Sequence, residues 1–194
     1  MIIFRKIVGL FNKLYNFIMI KRQHVIYGNN FTINGKIKIC SLGTVKVGEN
    51  VRVNSGKNYN IIGGDIRTNW IVFEDASVTI GDNVGMSNST IVAKKNVQID
   101  NNVMIGGGCK IYDTDFHSIM YCERMQSPDP GVKSVPVVIS EGAFIGANSI
   151  ILKGVTIGKR SVIGAGSVVV KNVPDDEIWA GNPAVFVRKI NNTF

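Results

Sequence analysis

The stretch ISEGAFIGANSIILKGVTIGKRSVIGAGSVVVKNV, residues 139–173, decides the fold because an aliphatic residue returns at every sixth position. The aliphatic positions are Ile139, Ile145, Ile151, Ile157, Ile163 and Val169. Four residues after each comes a small or β-branched residue: Ala143, Ser149, Val155, Ser161, Ser167 and Val173. Period six with an inward aliphatic residue is typical of a parallel β-helix, whereas a β-sandwich alternates with period two.

The same period extends towards the N-terminus. It recurs at Val78, Val84 and Thr90, then after one inserted residue at Val97, Val103 and Cys109, and more weakly at Ile33, Ile39, Val45 and Val51. The period is lost between residues 51 and 78. Three six-residue units make one coil of about 18 residues. Gly and Asn in the turns supply the left-handed backbone conformations that tight corners need.

Three segments follow from this pattern: an N-terminal amphipathic helix over residues 1–24, a β-helix over residues 25–174, and a C-terminal cap over residues 175–194. One long loop, residues 112–136, breaks the repeat. It is too long for a corner and too polar to continue the coil. Long loops that leave a rigid scaffold commonly carry function, so this loop is the first place to look for a site.

The N-terminal segment has the spacing of an amphipathic helix. Its apolar stripe is Phe4, Ile7, Phe11, Leu14 and Ile18, widened by Ile3, Leu10 and Phe17. The other side holds Arg5, Gly9, Asn12 and Asn16. We expect the stripe to pack on its own domain or on a sister subunit. The alternative is a helix that lies on an anionic membrane surface, because basic residues flank the stripe.

Composition narrows the function classes. The 194 residues hold 22 Lys and Arg against 14 Asp and Glu, a net charge of +8. This excess suits an anionic partner, but the chain shows no nucleic-acid-binding motif and no Gly-rich nucleotide fingerprint. No apolar run is long enough for a transmembrane helix, and no cleavage site for a signal peptide follows the first twenty residues. The three cysteines have no metal-site spacing and suit a reducing compartment.

Only two histidines are present, and one lies in the long loop. His117 ends the run Asp113-Thr114-Asp115-Phe116-His117, whereas His24 has no obvious partner. A neutral imidazole is a good general base near pH 7. Asp113, Asp115 and His117 share parity, so a carboxylate of either aspartate could orient the ring. A surface histidine in a polar loop is the alternative interpretation.

These features resemble the hexapeptide-repeat acyltransferases of the sugar O-acetyltransferase type, similar to galactoside, maltose, capsule and O-antigen acetyltransferases. The resemblance spans roughly residues 78–190. It is carried by SNSTIVA (87–93), IDNNVMIG (99–106), DTDFH (113–117), IGANSIILKGVTIG (145–158), SVIGAGSVVVKNVP (161–174) and AGNPA (180–184). The resemblance, rather than the spacing, implies that the β-helix is left-handed, against the usual crossover rule.

The resemblance also implies a reaction and its residues. His117 matches the base that takes a proton from an acceptor hydroxyl as the oxygen attacks the thioester of acetyl-CoA. Asn88 matches an asparagine that holds the acyl donor or the reacting groups, with a corner asparagine as the alternative. Asp115, or Asp113, would orient the histidine. No cysteine is a convincing nucleophile, because Cys109 occupies an inward position, and no metal is expected.

Members of this family bind coenzyme A in a groove between neighbouring subunits of a homotrimer. By resemblance, Ala147 and Ala165 present their backbone to the pantetheine arm, and Lys171 and Arg188 contact phosphates. Val185 departs from the galactoside enzymes, which have arginine there, and Lys189 or Lys153 could compensate. The stretch 54–70, with Asp65, Arg67 and Trp70, is a candidate wall for a sugar or glycan acceptor, although Trp70 could instead fill the core.

The function expected is acetyl transfer from acetyl-CoA to a sugar hydroxyl in cell-surface polysaccharide assembly. The expected location is the cytoplasm, with peripheral contact at the inner membrane face through the N-terminal helix. Two alternatives stay open. One is N-acylation of an amino sugar or nucleotide-sugar, or acylation of an antibiotic, by the same fold. The other is a non-catalytic β-helix scaffold.

Overall fold

The computed structural model describes residues 2–191, with side chains from residue 7 onward. The chain forms three sheets, A, B and C, in which successive strands pass from one sheet to the next. Sheet A contains β1 (Ile26–Tyr27), β4 (Thr44–Val47), β7 (Ser77–Ile80), β10 (Asn96–Ile99), β13 (Val137–Ile139) and β16 (Thr156–Ile157). Sheet C contains β3 (Lys38–Ser41), β6 (Asn69–Val72), β9 (Thr90–Ala93), β12 (Lys110–Tyr112), β15 (Ile150–Ile151) and β18 (Val168–Val169).

Sheet B is the longest because it also takes up the C-terminal strands. It contains β2 (Thr32–Gly35), β5 (Arg52–Ser55), β8 (Gly85–Ser87), β11 (Met104–Gly107), β14 (Phe144–Ile145), β17 (Val162–Ile163), β19 (Glu177–Gly181) and β20 (Ala184–Lys189). All pairs in the three sheets are parallel except β19 with β20, which is antiparallel. The predicted C-terminal cap thus contains a hairpin, and its boundary at residue 174 stays a prediction.

The six-residue period places its aliphatic side chains in the core. Ile139 pairs with Ile157, Ile145 with Ile163, and Ile151 with Val169, so residues 18 positions apart lie side by side. All six side chains have 0% exposure. Burial of such a side chain stabilises the fold by roughly 1.5–3 kcal/mol. The inward positions predicted from the sequence are therefore confirmed.

Asparagines stabilise one edge of the molecule. We name the turns after the sheets that they join, and at the A/B corner Asn30, Asn50, Asn83 and Asn102 all have left-handed φ angles of 56–61°. Each amide bonds to the next coil: Asn30 to Asn50 at 2.9 Å, Asn50 to Asn83 at 3.2 Å, and Asn83 to Asn102 at 3.1 Å. Asn tolerates this conformation at little cost, which explains its use at the corners.

Trp70 lies where the six-residue period is lost. Its side chain has 0% exposure, and its ring stacks on Phe31 with centroids 6.3 Å apart. The interpretation of Trp70 as a core residue is therefore correct, and its suggested stacking on a sugar ring is wrong, because a fully buried ring presents no face to a ligand. Where the aliphatic repeat fails, this large side chain fills the core.

Helix α1 (Ile2–Arg22) is present as predicted, but it packs with the opposite face. Asn12, Asn16 and Ile20 are buried, whereas Ile7, Phe11, Leu14 and Ile18 are exposed. The expectation that the apolar stripe packs on its own domain is wrong for these residues, because polar contacts of Asn12 and Asn16 fix the helix. The side chains of Ile3, Phe4 and Arg5 lie outside the described part. Within residues 2–191, no helix is long and apolar enough to cross a membrane.

Candidate active site

The long loop leaves the sheets as an arm, which we define as residues 113–136, between β12 and β13. Its two ends are joined at the base: Val135 N–H donates to Asp113 O at 2.8 Å, and Asp115 N–H donates to Lys133 O at 3.0 Å. The buried Asp113 carboxylate accepts the N–H groups of Lys94 and Lys95, both at 2.7 Å. The arm is therefore anchored to the C/A corner, where the turn that follows β9 leads into sheet A.

His117 lies in the arm with its ring largely in solvent. The side chain is 71% exposed, and Nδ1 lies 3.6 Å from Oδ2 of Asp129. That carboxylate is itself fixed, because it accepts the N–H of Ser118 at 2.8 Å and the N–H of Gly131 at 3.0 Å. The hydrogen bond from Ser118 is the main cause that lowers the pKa of Asp129, with further contributions from Gly131 and His117. Asp129 therefore offers His117 an ionised, preorganised neighbour.

The two aspartates expected to orient His117 have other partners. Asp115 Oδ1 forms an ion pair with Lys153 Nζ at 2.5 Å, which ties the arm to the turn after β15. Asp113 holds the two backbone N–H groups at the base of the arm. Asp129 lies twelve residues beyond His117 in the chain, and it approaches only because the arm folds back. No period or motif in the sequence signals that pairing.

Asn88 is completely buried, and its side chain is used within the protein. Its Oδ1 accepts the N–H of Gly56 at 2.8 Å, and its Nδ2 donates to Asn60 O at 2.9 Å and to Gly64 O at 3.2 Å. These bonds hold the clamped loop, our name for residues 56–68 between β5 and β6. The sequence left two interpretations of Asn88 open, a corner asparagine and an asparagine that holds the reactants. These contacts favour the corner asparagine.

The clamped loop fits closely against the sheet wall. A Cβ atom built on Gly63 would lie 2.6 Å from Asn88 Cβ and 2.9 Å from the backbone nitrogen of Gly108. A Cβ atom on Gly107 would lie 2.7 Å from the backbone nitrogen of Gly63. Real Cβ atoms do not approach so closely, so glycine is required at both positions. Hence this loop is a packed part of the B/C corner.

Ala147 and Ala165 also lie at the B/C corner, one coil apart in register with the paired strands β14 and β17. Ala147 is half-buried and Ala165 is exposed. Glycines support both: a Cβ atom on Gly106 would lie 2.6 Å from Ala147 N, and one on Gly146 would lie 2.5 Å from Ala165 N. Small residues thus form a narrow wall along which an extended ligand could approach the backbone.

Lys171 and Arg188 are both exposed near the C-terminal end of the sheets. Arg188 lies on β20, opposite Ile178, and Nη1 donates to Lys189 O at 3.3 Å. Lys171 follows β18 directly. Both cations are therefore available to phosphates from solution.

A groove of about 490 Å³ lies on the outer side of sheet B, beside the clamped loop. Arg52, Asn54 and Asn60 supply polar groups to it, and Met104 and Phe144 supply apolar surface. No pattern in the sequence signals this groove, because outward residues of four different strands form it. Among the residues with described side chains, no group of three or more His, Cys, Asp or Glu side chains could hold a metal ion.

The arm and the small-residue wall lie at different corners. Asp113 and Lys153 attach the arm at the C/A corner, whereas Ala147, Ala165 and Asn88 lie at the B/C corner, across the width of sheet C. The structure of one chain therefore does not bring His117 and the wall together at one corner.

Residues 136–171 match the family model "Bacterial transferase hexapeptide (six repeats)". Residues of the chain are 40% identical to the galactoside O-acetyltransferase of Lactococcus lactis over 106 residues, 55% of this chain and 49% of the relative. A putative lipopolysaccharide biosynthesis O-acetyl transferase of Escherichia coli, WbbJ, is 27% identical over 173 residues, covering 87% and 83%. A galactoside acetyltransferase in complex with coenzyme A superposes with a TM-score of 0.62 at 25% identity, covering 91% and 70%.

The matched repeat shows that the chain is similar to the hexapeptide transferases. The more specific resemblance to sugar O-acetyltransferases, which the sequence predicts, is confirmed by the galactoside and lipopolysaccharide relatives. The chain spans about half the length of several curated relatives that it matches.

Proposed function

We propose that this protein is an acetyl-CoA-dependent O-acetyltransferase that acts on a sugar hydroxyl, with its three sheets forming the walls of a left-handed parallel β-helix. The relatives named above support acyl transfer, and a similar structure contains coenzyme A. The cellular role that we propose is cell-surface polysaccharide assembly in the cytoplasm, and the lipopolysaccharide biosynthesis relative supports the polysaccharide part.

The main structural support for this proposal is that the arm and the small-residue wall lie at different corners of one copy. One copy presents His117 at its C/A corner and the wall at its B/C corner, so each copy has half of a site at each of two edges. A closed ring of copies brings these halves together through identical head-to-tail contacts. We therefore favour a homotrimer in which the arm of one copy faces the wall of the next.

His117 would act as the general base. It takes the proton of the acceptor hydroxyl while that oxygen forms a bond to the carbonyl carbon of the thioester. Backbone N–H groups of the wall stabilise the oxyanion of the tetrahedral intermediate. The C–S bond then breaks, the thiolate leaves with the proton held by His117, and the acetyl ester remains on the sugar. Asp129, rather than Asp115, would be the positioning residue for the imidazole.

The acyl donor would lie along the small-residue wall, with Ala147 and Ala165 against the pantetheine arm. Lys171 and Arg188 would bind its phosphates, since both cations are exposed near the C-terminal end of the sheets. Lys171 follows β18 and lies at the C/A corner, so in the trimer it would reach the wall of the next copy. Direct transfer of the acetyl group from the thioester to the acceptor is favoured over a route through a cysteine nucleophile. Burial raises the pKa of the Cys109 thiol and keeps it protonated in the core. Asn88 would contribute by holding the clamped loop beside the wall.

The acceptor would enter the groove on sheet B. Amide and guanidinium groups of Asn54, Asn60 and Arg52 suit sugar hydroxyls, and Phe144 offers an apolar ring face. Such a mixture of a few polar groups with apolar surface is typical of small-molecule sites.

Release of the coenzyme A thiol from acetyl-CoA tests the reaction, with sugars, amino sugars and nucleotide-sugars as acceptors. His117→Asn should lower acceptor-dependent release roughly 10²- to 10⁴-fold. His24→Asn is the matched control, and it should leave release unchanged. Preference for an amine acceptor would identify N-acylation instead. No release, together with no acetyl-CoA binding by calorimetry, would favour a scaffold.

Mixing two inactive variants tests the shared site. His117→Asn removes the base, and Ala165→Trp blocks the wall. If arm and wall come from different copies, random mixed trimers contain intact sites at about a quarter of the wild-type number. If each copy holds a complete site, mixing restores no activity.

A further inference from the structure

Helix α1 is attached to its domain through polar contacts. The buried Asn16 donates from Nδ2 to Gly35 O at 2.8 Å, and its Oδ1 accepts the N–H of Ile37 at 3.2 Å. Asn12 Nδ2 donates to the Tyr59 hydroxyl at 3.1 Å. These bonds reach the first B/C corner and the clamped loop. The rotation of the helix about its axis is therefore fixed by specific partners.

The opposite side of α1 is apolar and uncovered. We call it the outer face, and it consists of Ile7, Leu10, Phe11, Leu14, Phe17 and Ile18, which are 48–70% exposed. A helix normally buries its apolar stripe and exposes its polar one. Here the arrangement is reversed, so the outer face requires an apolar partner outside the chain described.

Charge favours one kind of partner. The helix sequence IIFRKIVGLFNKLYNFIMIKR contains five basic residues and no acidic one. One described cation lies close to an aromatic ring of the outer face: Lys21 Nζ is 6.0 Å from the centroid of Phe17. The outer face of a second copy would bring the same cations and no acidic residue, so packing two outer faces together would place like charges side by side.

We propose that α1 lies in the plane of an anionic membrane surface, with the outer face among the acyl chains and with Lys13, Lys21 and Arg22 at the lipid phosphates. The combination of an apolar face, flanking cations and no acidic residue is that of an interfacial helix. Its 21 residues extend about 31 Å along the surface. The proposal concerns the location of the protein and is independent of the reaction that it performs.

Vesicle flotation of the full-length protein tests this inference. The vesicles contain phosphatidylcholine alone, or phosphatidylcholine with phosphatidylglycerol. The wild type should float with the anionic vesicles, and high salt should weaken its binding. Phe11→Asn/Leu14→Asn should weaken binding at least tenfold, because both side chains are more than half exposed and their replacement leaves the core intact. Lys13→Gln should weaken it roughly fivefold.

Leu42→Asn is the matched control, since Leu42 is 78% exposed and lies in the turn after β3, outside α1. It should bind as the wild type does. The mass in solution, measured by light scattering, distinguishes a partner copy from a membrane. The inference is overturned if the wild type does not bind anionic vesicles, if the double variant binds equally well, or if the double variant lowers the oligomeric mass while vesicle binding is unchanged.

Discussion

The variant Asn88→Ala tests whether Asn88 supports the structure of the site or contacts the reactants. The substitution removes three hydrogen bonds of a side chain with 0% exposure, at 2.8, 2.9 and 3.2 Å. At about 1 kcal/mol each, these bonds contribute about 3 kcal/mol. The residue also has φ of 46°, where alanine costs about 1 kcal/mol more than asparagine. The expected loss in the free energy of unfolding is therefore about 4 kcal/mol.

Asn83→Ala is the matched control for Asn88→Ala. Asn83 has a similar φ of 57° and makes two side-chain bonds to neighbouring asparagines, but these bonds are exposed to water. We expect a loss of about 2 kcal/mol, since exposed hydrogen bonds contribute at the lower end of the usual range. The difference of about 2 kcal/mol between the two variants measures the buried clamp.

Urea denaturation gives the two free energies, and hydrogen–deuterium exchange locates the effect. In Asn88→Ala the amides of residues 56–68 should exchange faster, above all the N–H of Gly56, which Asn88 accepts. In Asn83→Ala the same peptide should exchange as in the wild type. The reasoning is refuted if Asn88→Ala leaves the exchange of this peptide unchanged and abolishes acetyl transfer. Asn88 would then act on the reactants directly.

Three further predictions concern the arm, the helix and the core. Asn16→Ala should cost about 2 kcal/mol of helix docking, and limited proteolysis should then cut α1 faster than in the wild type. The pKa of Asp129 is lowered in the folded state, so its stabilising contribution is present above the ordinary aspartate pKa and is lost as the pH falls through the lowered one. The N–H of Ser118 should therefore lose exchange protection in acid, and Asp129→Asn should remove this pH dependence. Burial raises the pKa of Cys109, so iodoacetamide should modify the exposed Cys40 and Cys122 in the native protein and spare Cys109 until unfolding.

The repeat could be predicted in detail because it depends on local spacing. An aliphatic residue at every sixth position can bury its side chain only if the chain turns at the same interval, so Ile139 to Val169 determine strands, corners and register together. The asparagines and glycines of the corners were predictable for the same reason, since these residues adopt the left-handed conformation cheaply. Arg160, which has φ of 57° at the A/B corner, was not predictable in this way. Cys109, at an inward position, was placed in the core correctly.

The sites were less predictable because they join residues that are far apart in the chain. The even spacing of Asp115 and His117 predicted that their side chains point the same way, but this rule holds only in an extended strand. The arm instead folds back and brings Asp129 to His117. Asn88 was compared with reactant-binding asparagines, and its actual partners lie in a loop 24–32 residues away.

Sequence by itself determined the three-sheet repeat, the inward residues, the helix and the approximate place of the arm, because each depends on periodicity within a few tens of residues. Only the tertiary structure decided which face of α1 is docked. Hydrophobic spacing measures how apolar a helix face is, but it does not include the hydrogen bonds that Asn16 makes to Gly35 and Ile37. Those buried partners would be left unsatisfied if the helix turned its apolar stripe inward, and this cost fixes the polar face against the sheets.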